Sequence, residues 1–216
     1  MSRGMFKFRS CLGPVAFLLY FIAGLFSIRT MTEASTDQIS PKTFKVFVYG
    51  TLKRNLPNHE LLLDKVRGKA TFIGEGHTVD KFPLVVASKY HIPCLLFCRN
   101  VGNQVKGELY EVDEDMLLNL DKLEEHPHFY ERVVEPVQIY NDKNSTESKT
   151  IDAWIYFIKK MNAQLLEEPY LTDYQNADPD KKYTARYLRD STHNHRYEIL
   201  APPVMWGSHL GPDEFS

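Results

Sequence analysis

The chain is predicted to fold as an α+β domain, a mixed or antiparallel barrel-like sheet with a few short helices. Three observations carry this expectation. Strand-like runs succeed one another with only brief helical stretches between them, whereas an α/β protein alternates the two. Gly and Pro punctuate those runs. Apolar residues make up 43% and charged residues 25% of the chain, which is globular composition and excludes collagen-like, coiled-coil and wholly disordered classes. At about 150 residues per domain, the 216 residues imply one domain with appendages.

The first appendage is N-terminal. Arg3, Lys7 and Arg9 precede an uncharged run from Ser10 to Ile28, closed by Arg29. The run approaches the roughly 17–25 apolar residues that cross a bilayer, and a basic start before it also reads as a secretory signal. Small-residue pairing at a cleavage position is poor, which favours an uncleaved anchor with the domain lumenal. Initiation at Met31 would instead give a chain without residues 1–30. In either case that segment lies outside the fold, and membrane contact is expected through residues 11–28 alone. Residues 31–43 are polar and read as a linker.

From there the elements follow in order. Phe44 to Tyr49 is an apolar run ended by Gly50, a buried strand entering a turn. Asn58 to Lys65 follows Pro57 as a short helix. Lys69 to Val79, Leu84 to Ala87, Cys94 to Cys98 and Gln104 to Tyr110 read as strands, and so do Val133 to Tyr140 and Thr150 to Ile158. A solvated loop between the last two carries an Asn144-Ser145-Thr146 sequon. Beyond Met161 the chain is polar, Tyr-rich and irregular. The domain is expected over residues 44–190, with a flexible tail over 191–216.

Asp113 to Glu124 is the best-defined helix. Asp113 is a natural N-cap, and the acidic start suits the helix dipole. At roughly 100° per residue, Met116, Leu117, Leu120 and Leu123 share one side. Glu124 falls about 50° from the mean apolar direction, Asp121 about 110° and Glu125 about 150°. Glu124 is therefore expected beside the buried stripe and Glu125 in water. A carboxyl beside an apolar face has a raised pKa and is a candidate proton shuttle.

The Gly50 turn is the second candidate feature. A glycine there lets successive backbone N–H groups face a carboxylate or oxyanion, and Lys53 and Arg54 add positive charge beyond it. The phosphate-loop ending Gly-Lys-Ser/Thr is absent.

Several classes are excluded or disfavoured. Lys plus Arg is 26 and Asp plus Glu is 28, so a net charge of −2 gives no electrostatic reason to bind nucleic acid. Three cysteines are no disulfide framework. Cys94 and Cys98 on one strand would sit about 13 Å apart, beyond disulfide reach. His126, His128, His193 and His195 lack a supporting metal-ligand pattern and are read as surface residues, so no metal is expected. Tyr170, Tyr174, Tyr183, Tyr187 and Tyr197 read as packing or surface residues, with room for one or more to wall a cleft.

The ordered motifs carry a resemblance. Val48-Tyr49-Gly50-Thr51-Leu52-Lys53-Arg54 with Pro57-Asn58-His59 resembles the opening of the gamma-glutamylamine cyclotransferase branch of the gamma-glutamylcyclotransferase-like family. Phe82 to Ala87, Ile92-Pro93, Leu95-Leu96, Val105 to Tyr110, Val112-Asp113-Glu114, Leu120-Asp121-x-x-Glu124 and Tyr130-Glu131-Arg132 follow in the family's order. The resemblance spans Lys45 to Phe157, and more loosely to Leu188. It implies the gamma-glutamylcyclotransferase-like fold and a small-molecule gamma-glutamyl substrate. It makes Glu124 the catalytic carboxylate and Tyr49, Gly50, Thr51 and Leu52 the substrate-binding loop. It implies no cofactor and a cytosolic location, the latter at odds with use of the N-terminal segment. The implied reaction releases 5-oxoproline and an amine from gamma-glutamylamines such as gamma-glutamyl-ε-lysine. Gamma-glutamyl amino acids, glutathione, or a non-catalytic binding role on the same fold are the alternatives.

Overall fold

The computed structural model describes residues 41–140 and 148–202. The N-terminal apolar segment, most of the linker, the Asn144 sequon and residues 203–216 lie outside them.

Seven strands form. β1 is Thr43–Val48, β2 Ala70–Thr78, β3 Leu84–Ala87, β4 Ile92–Leu95, β5 Lys106–Asp113, β6 Glu131–Tyr140 and β7 Ser148–Phe157. Five of them close a barrel in the order β1-β5-β2-β6-β7, while β3 and β4 make a separate two-stranded sheet. The barrel pairs are antiparallel except at the seam, where Val46 of β1 lies parallel to Trp154 of β7. Closure removes the exposed sheet edges that would otherwise invite aggregation. Few helices accompany the strands: α1, Glu60–Leu63, α2, Glu114–Glu124, and α3, Arg196–Ile199. The expected α+β barrel is the fold.

The period-two alternation of the strands sorts the core into two clusters. Phe47, Leu109, Val137, Ile139, Ala153, Ile155 and Phe157 belong to one. Val46, Val48, Tyr110, Val112 and Tyr156, their strand neighbours, face the other and meet Met116, Leu117 and Leu120 of α2. α2 is thereby pinned across β1 and β5. Its start is fixed as the sequence implies: Asp113 Oδ1 accepts from Met116 N at 2.9 Å, and Oδ2 accepts from Lys69 N at 3.0 Å.

Several boundaries differ from expectation by a few residues, and two of the differences change the reading. β4 ends at Leu95, so Cys98 is not on a strand with buried Cys94. The ladder stops because Leu96 N turns to Pro83 O and Phe97 N to Ile158 O. The segment expected as a tail from residue 191 contains α3, whose Ile199 is fully buried. Ile199 O accepts from Asn162 N at 2.8 Å, and Ala201 N donates to Lys160 O at 2.9 Å. Residues 191–202 therefore pack on the domain.

Candidate active site

β1 delivers the chain to residues 49–52, and α2 delivers it to Glu124. Both ends open on one cavity of about 400 Å³, at the lower end of the roughly 300–1,000 Å³ typical of small-molecule sites. Tyr49, Gly50, Thr51, Leu52 and Glu124 all line it. The structure thus brings Glu124 and the four loop residues together at one cavity.

The turn is held from several sides. Lys53 N donates to Gly50 O at 3.1 Å, and Asn58 N donates to Thr51 O at 3.0 Å. The Asn58 side chain donates to Thr51 Oγ1 at 2.9 Å and to the Tyr183 hydroxyl at 3.1 Å. His59 Nδ1 lies 3.0 Å from Leu52 O. Among the described residues, the amides of Gly50, Thr51 and Leu52 donate to no protein acceptor. Gly50 is needed for close approach: a Cβ there would lie 3.0 Å from Pro93 Cγ.

Lys53 and Arg54 do not charge the cavity. Lys53 is buried in an ion pair with Asp173. Arg54 bonds Glu108 twice, through its backbone N at 3.0 Å and its Nε at 3.1 Å, and lies over the Phe72 ring at 3.9 Å. The Tyr110 hydroxyl donates to the same Glu108 carboxylate at 2.8 Å. Glu108 and Tyr110 of the Gly-Glu-Leu-Tyr motif thus anchor the loop from β5. The turn leaves β1 beside this strand, and a buried carboxylate needs such partners.

Glu124 is the last residue of α2. Its carbonyl accepts from Tyr130 N at 3.1 Å, which folds the following loop back beneath it. Its part-exposed side chain looks into a cavity walled by Tyr49, Phe129, Tyr130 and Tyr156. Burial among these rings pushes its pKa up to about 7, against a weaker opposing pull from Arg186. Tyr49 is fastened there by its hydroxyl, which donates to Tyr156 O at 2.8 Å. The Tyr156 hydroxyl donates in turn to Asp121 Oδ1 at 2.7 Å, and Arg132 Nε lies 3.0 Å from the same oxygen. The Tyr130 hydroxyl donates to Pro93 O at 3.2 Å and lies 3.3 Å from Cys94 Sγ. Burial raises the Cys94 thiol to about 12, so it is protonated and inert at neutral pH.

Glu125 departs from expectation. It does not extend the helix into water: it is the C-cap, in the left-handed conformation at φ 53°. Helical phase ends with Glu124, so the 100° step no longer locates the next side chain. Glu125 faces the cavity rim and pairs with Arg186 and Arg196.

The opposite wall comes from the irregular C-terminal stretch. Tyr183, Arg186, Tyr187, Arg189 and His195 line it. Of the C-terminal tyrosines, Tyr183 and Tyr187 wall the cleft, whereas Tyr174 is buried elsewhere and Tyr197 is exposed. His195 was expected on the surface. Instead it is half-buried against Tyr90 and Phe129, and burial followed by the Arg189 and Arg186 charges lowers its pKa. The two arginines and His195 carry no periodic signal, so no sequence pattern pointed to them. Among the described residues there is no cluster of three potential metal ligands.

Residues 46–176 match the family described as gamma-glutamyl cyclotransferase, AIG2-like. A gamma-glutamylaminecyclotransferase of Bos taurus is 39% identical over 158 residues, 73% of this chain and 89% of its own. That of Mus musculus is 40% identical over 135 residues, 62% of this chain and 91% of its own. The crystal structure of an AIG2-like protein from Mus musculus superposes with a TM-score of 0.63 at 38% identity, covering 68% of this chain and 99% of that one. With the barrel, the glycine turn and the helix-terminal glutamate in the same chain, the protein belongs to the gamma-glutamyl cyclotransferase, AIG2-like family of enzymes.

Proposed function

We propose that the chain converts gamma-glutamylamines, such as gamma-glutamyl-ε-lysine, to 5-oxoproline and a free amine, with Glu124 carrying the proton. The observation that carries this reading is the Glu124 carboxyl, held near pKa 7 in an aromatic-walled cavity also lined by residues 50–52, whose backbone amides donate to no protein acceptor among the described residues.

The chemistry is an intramolecular aminolysis. The substrate's neutral α-amine attacks its own γ-carbonyl, and a C–N bond forms to close a five-membered lactam. The attacking nitrogen gives up a proton to the Glu124 carboxylate. Glu124 returns it to the leaving nitrogen as the original amide C–N bond breaks. One proton is taken and one is given, so the enzyme ends unchanged. A pKa near the working pH suits a group that must act in both directions, and such help contributes roughly 10²- to 10⁴-fold. The amides of Gly50, Thr51 and Leu52 are the donors available to the tetrahedral oxyanion. Both reactants belong to one molecule, so folding it into attack geometry supplies effective molarities on the order of 10⁵ M or more.

The test compares the full chain with Glu124→Gln, scoring 5-oxoproline release from gamma-glutamyl-ε-lysine, a gamma-glutamyl amino acid and glutathione. Release from the first alone, lost in a folded variant, is the expected result. Release from another substrate would reassign the leaving group, and undiminished turnover by the variant would remove Glu124 from the mechanism.

A further inference from the structure

The small sheet of β3 and β4 stands apart from the barrel, and the proton transfers above use none of its side chains. It nevertheless touches both sides of the cavity. On one side Ile92 and Pro93 line it. Pro93 is the residue against which Gly50 packs, and its carbonyl accepts from the Tyr130 hydroxyl. The other side is reached from the turn between the strands, residues 88–91. Ser88 and His91 are held there in the left-handed conformation, at φ 59° and 53°, which non-glycine residues keep only where their surroundings enforce it. His91 N donates to Ser88 O at 3.0 Å and Tyr90 N to Ser88 Oγ at 3.2 Å. The residue so presented is Tyr90. Loop tips generally run over the surface, yet Tyr90 is only 5% exposed, because the C-terminal segment covers it.

That cover is specific. Thr184 N donates to Tyr90 O at 3.0 Å, and Asp190 N donates to the Tyr90 hydroxyl at 3.1 Å. The His193 and His195 rings meet the Tyr90 ring edge-on at 5.6 and 5.8 Å, and the Arg189 guanidinium lies 5.4 Å from it. Neighbours in the turn add to the grip: His91 Nδ1 is 3.1 Å from Lys182 O, and Lys89 Nζ is 3.9 Å from Asp190 Oδ2. The positions of the two backbone bonds matter most. Thr184 and Asp190 bracket residues 185–189, from which Ala185, Arg186, Tyr187 and Arg189 line the cavity. The bracketed stretch holds a short 3-10 turn, Arg186–Leu188. Such a segment takes its path from whatever satisfies its backbone groups. Arg186 also pairs with Glu125, but that pair is part-exposed, and water weakens such contacts. Tyr90 is the buried tie.

We propose that Tyr90 is a positioning residue: it clasps both ends of the stretch 185–189 and so holds the C-terminal wall over the Glu124 cavity, which makes closure of the site depend on the β3–β4 sheet. This rests on the cyclotransferase reading above. It gives the accessory sheet a role, with Pro93 setting the near side of the cavity and Tyr90 the far side.

The experiment uses the full chain, Tyr90→Ala and Tyr90→Phe, with two readouts. The first is kcat and KM for 5-oxoproline release from whichever of the three compounds above the parent turns over fastest. The second is the rate of trypsin cleavage after Arg186 or Arg189, which follows local opening of the wall and needs no activity. Tyr90→Ala removes the ring and the hydroxyl but leaves the carbonyl that receives Thr184. It is expected to raise KM about 10-fold or more through loss of a positioned wall. Cleavage in the stretch should accelerate, with cleavage in the barrel unchanged. Tyr90→Phe keeps the ring and loses the bond to Asp190, so its KM should rise by about 5-fold at most. A residue that merely stabilises the fold would lower kcat by depleting active enzyme and leave KM alone. Parental KM in Tyr90→Ala therefore overturns the proposal, whether cleavage accelerates or not. Should Tyr90→Ala not fold, Tyr90→Phe decides by the same readings: raised KM with faster cleavage supports the clasp, and parental values overturn it. A parent inactive on all three compounds would overturn the cyclotransferase reading instead, while the cleavage rates still judge the clasp, so the two failures are distinguishable.

Discussion

Glu124→Gln should stabilise the protein above neutral pH while abolishing its activity. In the unfolded chain a glutamate is ionised above its ordinary value of 4.5, whereas in the folded protein Glu124 ionises only near 7. Between those values the native state holds a proton that the unfolded state has released. Stability therefore falls as pH rises from 4.5 to 7 and levels off above it. At roughly 1.4 kcal/mol per pH unit, the interval corresponds to a cost of about 3 kcal/mol at pH 8. Glutamine has nearly the same shape and never ionises, so it escapes the cost. Urea denaturation of both proteins at pH 5, 6, 7 and 8 measures this. The stability difference between variant and parent should grow by about 2–3 kcal/mol from pH 5 to pH 8, with most of the growth complete by pH 7. A difference that stays flat across that range would refute the raised pKa and with it the physical basis for a proton shuttle. The parent's kcat/KM should in parallel rise through an acid limb near pH 7, as the carboxylate form is required for attack.

Two further substitutions probe the supports of the site. Gly50→Ala puts a methyl group 3.0 Å from Pro93 Cγ. The turn must shift by a few tenths of an ångström, and kcat/KM is expected to fall about 10-fold or more, with less than about 1 kcal/mol lost in stability. Parental kinetics would show that the turn's position is not critical. Tyr156→Phe removes the 2.7 Å hydrogen bond to Asp121 but keeps the backbone oxygen that receives Tyr49. Urea titration should show a loss of about 1–2 kcal/mol, with kcat changed only a few-fold. A collapse of kcat at full stability would give the hydroxyl a chemical role.

Glu124 was legible because an amphipathic helix ties sequence position to direction. The stripe of Met116, Leu117 and Leu120 is buried, so the residue flanking it is drawn to the edge of the core. The same rule failed one residue later because the left-handed C-cap at Glu125 resets the direction. The strands were legible as apolar runs punctuated by Gly and Pro, but their partners were not. The continuous apolar run marks β1 as buried and says nothing about β7 lying beside it in parallel. Arg186, Arg189 and His195 were not legible at all. They stand on short 3-10 turns and loops, where side-chain-to-backbone bonds such as Arg189 to Thr184 O set the geometry. Lys53 and Arg54 were misjudged for a related reason: a charge beside a turn points wherever its counter-ion lies, here Asp173 and Glu108.

The seam between β1 and β7 bears on when the site comes into being. During vectorial synthesis β1 and the Gly50 turn emerge first. β1 must wait for β5 and then β7, more than a hundred residues later, before both its edges are paired. The wall that carries Arg189 follows later still, and Asn58 reaches across to Tyr183 only then. The cavity is thus a late product of the nascent chain, made where its early and late segments meet. A fragment broken anywhere between β1 and residue 183 lacks one side of it. The complete pocket therefore exists only in a chain that carries β1 through the C-terminal wall, and a cut that separates the halves removes one side of it and also unpairs barrel strands that meet across the cut.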